Sequence, residues 1–153
     1  MKKSAKQNKR LWVFLLVLYG ISMLWLLFGV RITPGQVPHF QQPLKERINL
    51  EPMVTVKRYL NLIRYSESPY YLVHGWVNLL GNVVMFIPLG YLLPKTFRPL
   101  RNFLKMFLLV VLSIVLVEVV QLFTGLGSCD IDDLILNVFG AVVGYLIWYF
   151  KTK

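Results

Sequence analysis

Four stretches of the chain are apolar enough, for long enough, to cross a bilayer. Residues 11–30 run twenty positions without a charge, and about twenty apolar residues span the hydrocarbon core as a helix. Residues 71–94 contain no Asp, Glu, Lys or Arg. A third run extends from about Phe103 to Phe123, and a fourth from near Asp133 to Phe150. Between the first and second lies a polar connection, residues 31–70. Pro34, Pro38 and Pro43 punctuate its start and argue against a helix there. Further on, Met53, Val56, Tyr59, Leu60 and Ile63 fall on one helical face, with Lys57, Arg58, Asn61 and Arg64 on the others. This is the pattern of a basic amphipathic helix, lying either in the membrane interface or against the end of a bundle. The expectation is an all-α integral membrane bundle of four transmembrane helices plus an amphipathic interfacial helix. Its parts are a basic N-terminus (1–10), a signal-anchor helix (11–30), an outer connection (31–70) and a three-helix core (71–150).

Breaks in the apolar pattern carry the chemistry. In the second span His74, Asn78 and Asn82 are spaced i, i+4, i+8. Pro88 should kink that helix and Pro94 should end it. In the third span the polar residues are Ser113, Glu118 and Gln121. The turn after it holds Asp130, Asp132 and Asp133, and the fourth span carries Asn137, Gly140 and Gly144 on one face. Lipid cannot satisfy such groups, so the stripes should face one another. Gly140-x-x-x-Gly144 would let two backbones approach closely. The predicted site is an outward-opening polar intramembrane pocket formed by His74, Asn78, Asn82, Glu118, Gln121, Asp130, Asp132, Asp133 and Asn137.

Composition supports this reading. The hydrophobic fraction is 56% over 153 residues and the mean hydropathy is +0.57, beyond an ordinary soluble domain. The net charge is +10, but the basic residues lie outside the apolar runs. They report topology and contact with anionic lipid rather than a nucleic-acid face. The N-terminus, the 95–102 loop and the C-terminus are basic, whereas the 124–132 turn has no Lys or Arg. With four spans, both termini are expected in the cytoplasm. The 31–70 connection, with six Lys and Arg residues, opposes this assignment. Cys129 is the single cysteine, so no intrachain disulfide exists, and it reads as a passive small residue.

The acidic turn admits three readings. Asp130, Asp132 and Asp133 would suit a divalent cation such as Mg²⁺, although no cofactor is otherwise indicated. Two crowded carboxylates would make an acid/base pair. Asp132 or Asp133 would cap the fourth helix, but a cap explains one acidic residue and not three. For Glu118 the cost of burial exceeds what one hydrogen bond returns unless it is protonated or paired. The polar amides also read as packing residues that bond across helix interfaces, and for a lone Asn such as Asn78 that is the commoner role.

Taken in order, Asn49-Leu50-Glu51-Pro52-Met53, Gly81-Asn82-Val83-Val84-Met85-Phe86-Ile87-Pro88-Leu89-Gly90, Glu118-Val119-Val120-Gln121 and Asp130-Ile131-Asp132-Asp133 with Asn137, Gly140 and Gly144 resemble the VanZ-like family of bacterial membrane proteins. The resemblance covers about residues 48–148. Two positions depart from the family pattern: Met53 stands where Phe is frequent, and Gly127-Ser128 where an Arg often precedes the acidic turn. The resemblance implies a small helical membrane protein associated with low-level resistance to teicoplanin, a lipid-tailed glycopeptide. It brings no catalytic assignment.

Two functions follow as expectations. One is a non-enzymatic envelope protein whose pocket and amphipathic helix engage a membrane lipid or an amphiphilic glycopeptide antibiotic. The other is a membrane enzyme acting on a phospholipid or lipid-linked cell-wall precursor through Glu118 and the aspartates. The enzyme reading wants a cation beside the carboxylates. The sequence offers only Lys57, Arg58 and Arg64, at positions it does not fix.

Overall fold

A computed structural model describes the backbone of residues 2–29 and 43–153, with side chains from Lys9 onward. Pro34 and Pro38 lie outside these residues. Helix α1 (Lys2–Leu24) is continued by a short π-helical turn, Trp25–Gly29. A 3-10 turn, Leu44–Arg47, leads into strand β1 (Ile48–Asn49). Helices α2 (Val54–Tyr65) and α3 (Pro69–Thr96) follow. A second 3-10 turn, Arg98–Arg101, precedes α4 (Phe103–Thr124), strand β2 (Cys129–Asp130) and α5 (Ile131–Thr152). Among the described residues, four helices are long and apolar enough to cross a membrane: Lys9–Gly29, Pro69–Thr96, Phe103–Thr124 and Ile131–Thr152. The molecule is an all-α membrane bundle, with α2 as its short fifth helix.

The spans hold together through small residues and a buried apolar stripe. A Cβ on Gly140 would lie 2.0 Å from the Val83 carbonyl oxygen, one on Gly144 2.0 Å from that of Ile87, and one on Gly90 1.8 Å from that of Ala141. No side chain fits at these separations, so α3 and α5 pack backbone to backbone. From Asn82–Asp133 through Val83–Gly140 to Ile87–Gly144 the paired positions rise together, so the two helices run parallel. In a bilayer, where the hydrophobic effect between helices is absent, this close packing is the main source of cohesion. On α4, Met106, Val110 and Ile114 are buried at a spacing of four, packing with Phe86, Ala141, Tyr145 and Trp148. Helix α1 runs antiparallel to α3: the Tyr19 hydroxyl donates to the Met85 carbonyl at 2.9 Å, and Trp12 meets Tyr91 edge-on.

Three sequence expectations are corrected. Pro94 does not end α3, which runs two residues further. Each proline removes one amide donor, and the helix closes normally beyond it, Phe97 N–H donating to Leu93 at 2.8 Å. Helix α5 begins at Ile131 rather than near Asp133, and its N-cap is Asp130, whose side chain accepts from the Asp132 amide. The third is the two-residue parallel ladder pairing Ile48 with Cys129 and Asn49 with Asp130. It lies within the polar connection and the acidic turn, where no strand was expected.

Candidate functional site

The site is built from the start of α2. The N-cap residue there, Met53, provides no side-chain cap, and the first N–H groups of any helix lack intrahelical partners. The Asp132 carboxylate supplies what is missing. Its Oδ1 accepts from the Met53 amide at 2.6 Å. Its Oδ2 accepts from the amides of Thr55 at 2.8 Å and Val56 at 3.0 Å. Asp132 is 0% exposed. A carboxylate on the positive end of a helix with three amide donors is a strong arrangement, each charge-assisted bond contributing about 1.5–3 kcal/mol. Asp132 therefore caps α2, a helix far from it in sequence, rather than its own.

The other two aspartates have different partners. Asp130 Oδ2 accepts from the Thr55 hydroxyl at 2.6 Å. Its Oδ1 accepts from Asn49 Nδ2 at 3.3 Å and from the Asp132 amide at 2.9 Å. Asp133 Oδ1 accepts from Asn82 Nδ2 at 2.6 Å, which ties α5 to α3. The three acids that one cap could not explain thus have three attachments: to α5, to α2 and to α3. Among the described residues, no group of three or more His, Cys, Asp or Glu side chains is arranged to hold one metal ion.

Glu118 is buried on α4, and its Oε2 accepts from the Asp130 amide at 3.4 Å. One turn further along the same face, the Leu122 carbonyl accepts a hydrogen bond from the guanidinium of Arg47, which is itself 5% exposed. Arg47 enters from the 3-10 turn before β1, and the β1–β2 ladder carries it to this end of α4. The polar connection thus places a buried cation against the end of α4. Sequence reasoning assigned no role to Arg47, Asn49 or Thr55. The Asn49–Met53 motif was the available signal, but nothing local connects it to Asp130, 81 residues away.

The remaining predicted residues have other partners. Gln121 donates to the Leu27 carbonyl at 2.9 Å, closing the end of α1 onto α4. Asn137 is buried, and its Oδ1 has no hydrogen-bond partner among the described residues. Asn78 donates to the His74 carbonyl of its own helix at 2.7 Å, and the His74 ring lies 5.8 Å from that of Tyr59 on α2. Among the described residues, no hydrogen bond joins His74 or Asn78 to the carboxylates. Cys129 sits beside the cluster. Burial, followed by the charges of Glu118 and Asp130, pushes its thiol pKa up, so it stays protonated and unreactive near neutral pH.

The knot that fastens the polar connection onto α4 and α5 draws Asn49, Met53, Glu118, Asp130 and Asp132 from the motifs noted in the sequence, while Asn82, Gly140 and Gly144 join α3 to α5. Residues 15–152 match the family described as VanZ/LLP1. The chain belongs to this family. Protein VanZ of Enterococcus faecium is 28% identical over 140 residues, covering 91% of this chain and 74% of that protein. No solved structure matches. The VanZ/LLP1 match takes in α1 from Leu15 onward, the knot and the whole of the α3–α5 bundle.

Proposed function

We propose that this VanZ/LLP1 protein lowers the susceptibility of bacterial cells to lipid-tailed glycopeptides such as teicoplanin. In this reading both termini are cytoplasmic and the carboxylate knot faces outward. The knot holds α2 as a fixed basic platform at the outer surface, where it engages an anionic lipid or amphiphile. The observation that carries the reading is the capping of α2 by buried Asp132. It makes α2 part of the bundle while leaving Lys57, Arg58 and Arg64 exposed. A shallow depression of about 390 Å³ lies along the same helix, lined by Arg58, Asn61, Leu62, Tyr65 and Ser66. Family membership and the resemblance of the motifs support the resistance role.

The test is teicoplanin susceptibility of cells expressing wild type, Asp132→Asn, and a triple Lys57→Gln/Arg58→Gln/Arg64→Gln variant at matched membrane levels. Wild type should protect, and both variants should lose most of that protection. Full protection by the triple variant would remove α2 from the mechanism.

A second reading is favoured by Arg47. A buried guanidinium one turn from a buried glutamate suits a membrane enzyme acting on a phospholipid or lipid-linked precursor. Arg47 would hold the phosphate and Glu118 would move a proton. A divalent cation at Asp130, Asp132 and Asp133 would have to displace donors already bound there, so the aspartates keep a structural part. Comparing lipid extracts of cells expressing wild type and Glu118→Gln by mass spectrometry decides it: no difference in any lipid species rejects the enzyme.

A further inference from the structure

The end of the bundle opposite the knot carries a different opportunity. A cavity of about 510 Å³ lies between the start of α1 and the end of α3, lined by Lys9, Trp12, Lys95, Thr96 and Arg98 among others. Its three cations come from three separate elements: α1, α3 and the 3-10 turn after it. Lys95 alone is explained by the negative end of the α3 dipole. It is held over the rings of Trp12 and Tyr91, at 5.2 and 5.8 Å from their centroids. The Thr96 hydroxyl donates to the Trp12 carbonyl at 3.4 Å, fixing the two walls together. Lys9 and Arg98 have no such internal explanation.

Among the described residues no acidic side chain lies here. Its seven acids are Glu46, Glu51, Glu67, Glu118, Asp130, Asp132 and Asp133. All belong to the 43–68 connection or to the α4–α5 turn and its flanks, which the knot gathers at the other end. Like charges converging on one concavity repel unless an anion lies between them. The cavity volume is in the range of small-ligand sites. It opens where a four-span bundle meets the head groups, the setting in which basic pockets between helices take phosphate-bearing lipids.

We propose that this cavity is a binding site for the phosphate of an anionic phospholipid head group, held by Lys9, Lys95 and Arg98 with Trp12 as its wall. It is independent of the function proposed for α2. The test uses purified full-length protein in neutral detergent, with lipid retention read by native mass spectrometry. Phosphatidylglycerol should bind and phosphatidylcholine should not. Each cation near an anionic head group is worth about fivefold in affinity, so Lys95→Gln/Arg98→Gln should weaken phosphatidylglycerol binding by about 25-fold. Lys95→Arg/Arg98→Lys should retain it. Lys151→Gln/Lys153→Gln removes the same charge outside the cavity and should leave binding unchanged. An equal loss in this last variant would reduce the effect to general surface charge and overturn the site. Inorganic phosphate that displaces the lipid at equal concentration would overturn the lipid as its source.

Discussion

The two ends of the bundle treat charge in opposite ways. At the knot, acids outnumber the buried cation, yet the carboxylates are turned inward onto amides, a hydroxyl, an amide side chain and each other's backbone. At the other end Lys9, Arg98, Lys151 and Lys153 are exposed, and the cavity cations face outward without an acid. The difference teaches that the density of ionisable residues does not identify a binding site. A charge whose partners are already within the chain holds the fold together. A charge whose partners are absent from the chain takes them from outside.

The largest predicted effect tests the inward end. Asp132→Ala orphans three amides at once and should lower unfolding stability by about 3–5 kcal/mol, read as a fall in thermal midpoint in detergent. A loss below about 1 kcal/mol would show that the knot does not bear on stability. Thr55→Val should cost about 1–2 kcal/mol by leaving Asp130 Oδ2 short of its hydroxyl donor, in the same assay. Arg98→Gln at the outward end should change stability by no more than about 0.5 kcal/mol, and a loss as large as that of Thr55→Val would erase the contrast between the ends. Met53 sits at a φ of 70°, a left-handed conformation that L side chains resist. Its amide is held there by Asp132. Met53→Gly should therefore gain about 0.5–1 kcal/mol in wild type, and more in relative terms than the same change made at a right-handed position.

The smallest effect concerns Cys129. Its raised pKa means that alkylation by iodoacetamide stays slow through the ordinary thiol range and accelerates only above it. The sign is that of a folded-state pKa above the unfolded value: the stability contributed by the protonated thiol is present below the unfolded pKa. It is lost as pH rises through the folded one. Glu118→Gln should shift the alkylation profile toward lower pH, because one of the neighbouring negative charges is removed. An unchanged profile would place Glu118 out of electrostatic reach of the thiol.

Much of this architecture is legible in the chain. The four apolar runs mark the spans, and Gly140-x-x-x-Gly144 announces the close α3–α5 approach. The Met53–Ile63 face announces an amphipathic helix, although its periodicity serves a membrane surface and a protein surface equally well. The stripe His74, Asn78, Asn82 shows where periodicity misleads. Steps of four advance about 400° on a helix of 3.6 residues per turn, so the stripe drifts by about 40° each time. By Asn82 it has turned enough to meet Asp133 on α5, while His74 meets Tyr59 on α2.

What the sequence by itself determined is set by local periodicity: the number of spans, their glycine seam, and the charge of each loop. Only the tertiary structure decided which donor each aspartate accepts, that Arg47 reaches the Leu122 carbonyl on α4, and that three cations from separate elements share one cavity. Those pairings join residues as much as 89 positions apart, Lys9 and Arg98 among them. The physical reason is that a helix specifies its neighbours only within a turn. The first amides of α2 need an acceptor that α2 does not carry, and folding finds it on whichever carboxylate the packed bundle brings within about 3 Å.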